Sequence, residues 1–130
     1  MIFRKKYYLN TTAGVDCIPI THEVHYAIRD STCPSGMATV LVPEAGAGVV
    51  LIEPLPDVLK ALQSLWEEWR RQAVREATTR DAKQQQVAVW PRVLGSLIGS
   101  SVHLPFHEGR LLTNPYTDVI VIDGDPVPRR

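Results

Sequence analysis

The longest periodic segment of the chain, residues 55–73, carries apolar side chains at every third or fourth position. This spacing predicts a long amphipathic helix that begins at Pro56, because proline lacks the N–H that a first helical turn leaves unpaired. The apolar side chains are Leu55, Val58, Leu59, Leu62, Leu65, Trp66, Trp69 and Ala73. A helix with one apolar face must pack on another element, so the rest of the chain has to supply one.

Most other apolar residues fall into short β-branched runs separated by turn-forming residues. Strands are expected at residues 6–10, 17–20, 38–42, 49–52 and 118–123, and a hairpin at residues 101–105 and 110–113. The runs at 38–42 and 49–52 flank a glycine-containing loop, so we expect them to pair as neighbours. Gly46 and Gly48 are expected to serve a tight turn or a close approach of the backbone.

Two shorter helices complete the pattern. One is predicted to be capped by Thr21 and to end near Ser31, and the other spans residues 90–98 before Gly99. The polar residues 75–86 lack an apolar face and predict a fraying helix end that leads into a poorly ordered loop. Together the elements indicate one α+β domain over residues 1–130, in which helices cover one face of a mainly antiparallel sheet system.

The charge and cysteine content narrow the classes of partner. Lys and Arg total 14 and Asp and Glu total 14, so a broad attraction to nucleic acid is not expected. No uncharged run reaches the length of a membrane span, and no secretory signal is found, which predicts a cytoplasmic protein without a membrane partner. Cys17 and Cys33 form no CxxC pair and are interpreted as small buried hydrophobes.

The order of these segments resembles the YjbQ family, the uncharacterised protein family UPF0047, described as having a secondary thiamine-phosphate synthase activity. The matching pieces are Ile20-Thr21-His22-Glu23-Val24, Val40-Leu41-Val42-Pro43, Ala47-Gly48-Val49, Glu53, Asp57-Val58, Ser96-Leu97-Ile98-Gly99-Ser100-Ser101, Leu104-Pro105 and Gly109-Arg110-Leu111. The resemblance implies a two-layer β-sandwich with two helices, a homotrimer, and a site near the subunit boundaries. It also implies that family members bind a divalent metal.

The chain departs from the family pattern at two positions where the family has histidine. The family hallmark His-Thr-Thr-Ala-Gly is replaced by Glu44-Ala45-Gly46-Ala47-Gly48, so Glu44 stands at the histidine position. The second family histidine falls in Trp90-Pro91-Arg92-Val93-Leu94, which has none. The last family strand also has no clear counterpart beyond Asp125. We therefore expect no metal site and no cofactor in this protein.

The candidate site residues are acidic, cationic and hydroxyl-bearing. Glu44 and Glu53 are candidate catalytic carboxylates. They would converge with Asp57 if the strands at 38–42 and 49–52 pair, which would give an oxygen site able to hold magnesium or to act as acid and base. Alternatively, Glu44 is a loop charge and Glu53 pairs with Arg92. Candidate ligand-binding residues, suited to an anion, are Arg92, Ser96, Ser100 and Ser101. The four histidines, His22, His25, His103 and His107, lie in two separate pairs and are interpreted as surface residues.

Three functions remain open at the level of sequence. The first is a YjbQ-like trimer whose site binds a phosphate-bearing small molecule, or is vestigial, without the histidine metal site. The second is an enzyme with an altered site related to thiamine-phosphate synthase activity. The third is a structural interaction module whose apolar strands pair with another chain.

Overall fold

The computed structural model describes residues 2–12, 14–76 and 80–124. Within these ranges it has six strands and three helices. The strands are β1 Asp16–Pro19, β2 Gly36–Leu41, β3 Ala47–Ile52, β4 Ser101–His107, β5 Arg110–Leu111 and β6 Asp118–Asp123. The helices are α1 Thr21–Ser31, α2 Pro56–Glu76 and α3 Arg80–Ile98. None of them, in the part of the chain described, is long and apolar enough to cross a membrane.

The six strands form two antiparallel three-stranded sheets. Sheet A has the order β1-β6-β3, and sheet B has the order β2-β4-β5. The α+β fold with mainly antiparallel pairing is therefore confirmed. The predicted pairing of the strands at 38–42 and 49–52 is wrong, because β2 pairs with β4 and β3 pairs with β6. The intervening loop carries the chain from one sheet to the other.

The core has two parts on either side of sheet A. One part lies between sheet A, sheet B and α1, and the other between sheet A and the helices α2 and α3. Strand β6 contributes to both, since Val119 and Val121 face the first part while Ile120 and Ile122 face the second. A strand that is buried on both faces needs apolar side chains at every position. This accounts for the four consecutive apolar residues Val119–Ile122.

Several local predictions are corrected by the structure. Residues 6–10 belong to no strand. Of the segment predicted to fray into a loop, residues 75–76 end α2 and residues 80–86 begin α3, so the described residues form three helices where the resemblance implied two. Residues 77–79 and the proposed missing last strand beyond Asp125 lie outside the described residues. The hairpin of β4 and β5 around Glu108 and Gly109 is confirmed.

Thr21 is the first residue of α1 and does not cap it. Its hydroxyl donates a hydrogen bond to Asp118 Oδ1 at 2.9 Å and accepts one from the Val119 N–H at 2.9 Å. Since both partners belong to β6, the threonine fastens the start of the helix to the central strand. The predicted helix end near Ser31 is confirmed, and Thr32 closes it in the left-handed conformation.

Candidate functional site

The loop between β2 and β3 packs against the C-terminal end of α3. Val42 N–H donates to Ser100 O at 2.8 Å, and Val49 N–H donates to Gly99 O at 3.0 Å. Gly99 and Ser100 are the two residues that connect the end of α3 to β4. We call this place, residues 42–49 and 92–101, the loop–helix junction.

Two glycines allow the two segments of the junction to approach. A Cβ at Gly95 would lie 2.9 Å from Ala47 O and 3.1 Å from Ala47 N. A Cβ at Gly48 would lie 2.8 Å from Gly99 O. Gly46 turns the loop with a positive φ of 79°. The prediction that these loop glycines serve a turn and a close approach is therefore confirmed.

Five of the six predicted site residues belong to this junction. Glu44 is an exposed residue of its loop, and Arg92 lies on the exposed surface of α3 one helical turn before Gly95. Residues three apart share a helix face, so Arg92 lies beside the contact between Gly95 and the loop. The remaining three are Ser96, Ser100 and Ser101.

Glu53 lies at the opposite end of β3. Strand residues rise about 3.3 Å each, so Ala47 and Ile52 are separated by roughly 16 Å. The condition for Glu44, Glu53 and Asp57 to converge, pairing of β2 with β3, is not met. Glu53 is an exposed residue. Within the described ranges, no three His, Cys, Asp or Glu side chains are grouped so that they could hold a metal ion.

The serines of the junction are less suited to an anion than their residue type indicates. The Ser96 hydroxyl already donates to Arg92 O at 3.0 Å. Ser100 and Ser101 follow the C-terminus of α3, where the helix dipole places partial negative charge. The carbonyl of Ser100 is taken by Val42 N–H, and Ser101 pairs with Leu41 in sheet B. Of the four predicted ligand-binding residues, only Arg92 carries a positive charge.

Sequence reasoning missed Asp123, the buried carboxylate at the end of β6. Asp123 is only 4 % exposed, and its Cα is paired with that of Ala47 in the junction. The next residue, Gly124, donates its N–H to Gly46 O at 3.0 Å and packs on the indole of Trp66. The available signal was an acidic residue that ends an otherwise apolar strand.

The thiol of Cys17 is not activated as a nucleophile. Both cysteines are free and half-buried, with Cys17 packed against the helix side of sheet A and Cys33 against the other part of the core. Burial raises the pKa of the Cys17 thiol, which keeps it protonated at neutral pH. Their interpretation as small hydrophobes agrees with this placement.

The chain is thus a two-sheet α+β protein. The loop between β2 and β3 crosses from sheet B to sheet A and packs against the C-terminal end of α3. The family model described as UPF0047 protein YjbQ-like matches residues 5–130, and the chain belongs to this family. No curated protein shows significant sequence similarity to the chain.

Solved structures show the same fold. A YjbQ/UPF0047 family protein of Clostridium acetobutylicum has 23 % identity, a TM-score of 0.76, and coverage of 95 % of this chain and 92 % of its own. A YbjQ-like protein of unknown function from Sulfolobus solfataricus has 16 % identity, a TM-score of 0.78, and coverage of 95 % and 88 %. A conserved hypothetical protein of Thermus thermophilus has 19 % identity, a TM-score of 0.70, and coverage of 93 % and 92 %.

Proposed function

We propose that this YjbQ-like protein binds a phosphate-bearing small molecule at the loop–helix junction, without a histidine-held metal. One observation supports the proposal: Gly95, one helical turn after Arg92, meets Gly46 and Ala47 of the loop that carries Glu44. The family resemblance assigns a histidine to the position of Glu44 and another to the segment around Arg92. Both replacements therefore change the same site and leave it a carboxylate and a guanidinium.

These two groups suit a ligand that has an anionic end and a hydrogen-bond donor. The Arg92 guanidinium presents donors in a planar fork that can hold two phosphate oxygens at once. Glu44, in the facing loop, accepts hydrogen bonds from hydroxyl or amino groups. The alternative of an enzyme that pairs Glu44 with Glu53 gains no support within one chain, because these carboxylates lie at opposite ends of β3.

Replacing Arg92 by methionine is expected to weaken phosphate binding at least tenfold, since a charge-assisted pair contributes about 1.5–3 kcal/mol. Inorganic phosphate and a small phosphate monoester are titrated by calorimetry into wild-type protein whose metal content has been measured. Methionine keeps the length and the helix propensity of the side chain but removes its charge.

The matched control is Arg110→Met, which removes an exposed arginine at the β4–β5 turn. It should leave the phosphate affinity unchanged. Equal affinities for wild type and Arg92→Met would contradict the assignment of Arg92. A transition metal retained at one equivalent per chain would contradict the metal-free site.

A second proposal, self-association, is supported by the outward face of sheet B. This face consists of Met37, Thr39 and Leu41 from β2 and Ser101, His103 and Pro105 from β4, paired across the two strands. This part of the face carries no Asp, Glu, Lys or Arg, and Arg110 lies at its far end, where it pairs with His107. Met37 and Leu41 are 61 % and 64 % exposed. Depletion of charge marks the centre of protein interfaces. We infer that a second copy of the chain covers this face, in the homotrimer that the family resemblance implies.

The double variant Met37→Glu, Leu41→Glu is expected to dissociate the assembly, because buried like charges cannot be paired there. Light scattering after size exclusion measures the mass of each species. Leu55→Glu is the matched control, since Leu55 is 53 % exposed and lies outside sheet B. A monomeric wild type, or a trimer that persists in the double variant, would contradict this interface.

A further inference from the structure

Two cation–ring pairs meet at Asp30 in a strip on the surface of α1 and the N-terminal segment. Lys5 Nζ lies 6.0 Å from the centre of the Tyr7 ring and 2.7 Å from Asp30 Oδ2. We call the six residues of this surface the cation–ring strip. In spatial order they are Tyr7, Lys5, Asp30, Arg29, Tyr26 and His22.

The α1 half of the strip continues the same pattern. The Arg29 guanidinium lies 5.1 Å from the centre of the Tyr26 ring. The rings of Tyr26 and His22 are stacked, with centres 6.5 Å apart and planes 26° apart. Arg29 is linked to Asp30 at 3.5 Å, which joins the two halves. The contacts therefore form one unbroken series across two segments of the chain.

The strip is positively charged although the chain as a whole is neutral. Exposed Arg4 and Lys6 flank Lys5 in sequence, so with Arg29 the N-terminal segment and α1 carry four cations against two carboxylates, Glu23 and Asp30. The hydrogen bond from Lys5 lowers the pKa of Asp30 and keeps this carboxylate ionised and paired. The whole-chain balance of 14 cations and 14 carboxylates, which argued against nucleic acid, hides this local excess.

The core holds the strip in place from beneath. Val24 and Ile28 of α1 are buried between the two sheets, so the opposite side of the helix faces solvent. Leu9 packs against the same part of the core and anchors the N-terminal segment near Lys5 and Tyr7. The rings are thus presented outward on a fixed support.

From this arrangement we propose that the cation–ring strip binds single-stranded nucleic acid. Rings that can stack with bases, interleaved with cations that contact phosphates, are the two components of sequence-tolerant single-strand binding. A membrane surface fits less well, because a helix lying in a bilayer interface turns its aliphatic side chains outward. Here Val24 and Ile28 face the core, and the exposed rings of α1 are Tyr26 and the imidazoles.

The test uses the full chain and fluorescently labelled oligouridylate and oligothymidylate of about 12 nucleotides, within the usual site sizes. Fluorescence anisotropy should show saturable binding at low salt. The affinity should fall with a log–log salt slope of about −2 to −3, as expected for three or four contacted phosphates. Tyr26→Ala should weaken binding at least fivefold, and Arg29→Gln should also reduce the salt slope by about 0.7.

Matched controls are Tyr116→Ala and Arg110→Gln, which change an exposed ring and an exposed arginine outside the strip. Circular dichroism verifies that each variant folds. The proposal is overturned if neither oligonucleotide binds at low salt, or if the strip variants and the controls weaken binding equally. Binding to vesicles of phosphatidylserine and phosphatidylcholine without binding to oligonucleotides would overturn it in favour of a lipid surface.

Discussion

Replacing Leu104 by alanine is expected to lower the free energy of unfolding by about 2–5 kcal/mol. Leu104 lies in the middle of β4 with no exposed surface, in the part of the core between the two sheets and α1. Truncation removes favourable burial and leaves a cavity that these packed layers can only partly close. Chemical denaturation monitored by tryptophan fluorescence measures the change.

Leu112→Ala is the control for this variant, because Leu112 is 64 % exposed and follows β5 in the same sheet. Its free energy of unfolding should change by about 0.5 kcal/mol or less. If the two variants lose equal stability, Leu104 does not lie between packed layers and the position of sheet B is wrong.

Gly95→Ala should destabilise the protein by about 1–3 kcal/mol, although alanine normally stabilises a helix relative to glycine by about 1 kcal/mol. The sign reverses because the new methyl group would meet backbone atoms of Ala47 at 2.9 and 3.1 Å. Neither backbone atom can rotate away as a flexible side chain would. The loop or the helix end must therefore shift, and the junction would open.

Thermal unfolding of Gly95→Ala and Ser96→Ala separates the packing effect from helix propensity. Ser96 is the next residue of α3, is exposed, and uses its hydroxyl only toward Arg92 O within the helix. Its alanine variant should keep the midpoint of unfolding within a few degrees of wild type or raise it. A Gly95→Ala protein as stable as Ser96→Ala would show that the loop does not contact α3 at this position.

The fold class was predictable because the local pattern of apolar and β-branched residues indicates where helices and strands form. The period of the apolar residues identified α2, and the short β-branched runs identified most strands. Their partners were not predictable, because the loop at residues 42–46 is short enough for a hairpin and only packing assigns its flanking strands to different sheets. Residues 6–10 illustrate the same limit, since β-prone side chains there find no neighbouring strand.

The length of α3 was missed for a different reason. The helix was predicted to begin at residue 90, and a proline at the next position is usual in a first turn but disrupts a helix interior. In the structure the helix continues through Pro91, whose ring is fully buried. Packing offsets the lost backbone hydrogen bond, and such compensation by tertiary contacts cannot be read from local sequence.

The candidate site was predicted in part. The family resemblance singled out Glu44, in the loop between β2 and β3, and Arg92, in α3. The structure brings this loop and the end of α3 into contact. Glu53 was grouped with Glu44 through a strand pairing that does not exist. Asp123 was missed because burial of a carboxylate depends on β1 and β3 closing around β6, which involves residues about 100 positions apart.

Strand β6 also governs the order in which this protein can fold during synthesis. It is the middle strand of sheet A, yet it follows every other described strand and helix in the chain. Until residues 118–123 emerge, β1 and β3 have no partner between them, and neither part of the core has its central layer. Pairing of such distant segments carries a high loop-closure cost and slows folding. Ribosome-bound chains that end before β6 should therefore remain sensitive to proteases and dependent on chaperones.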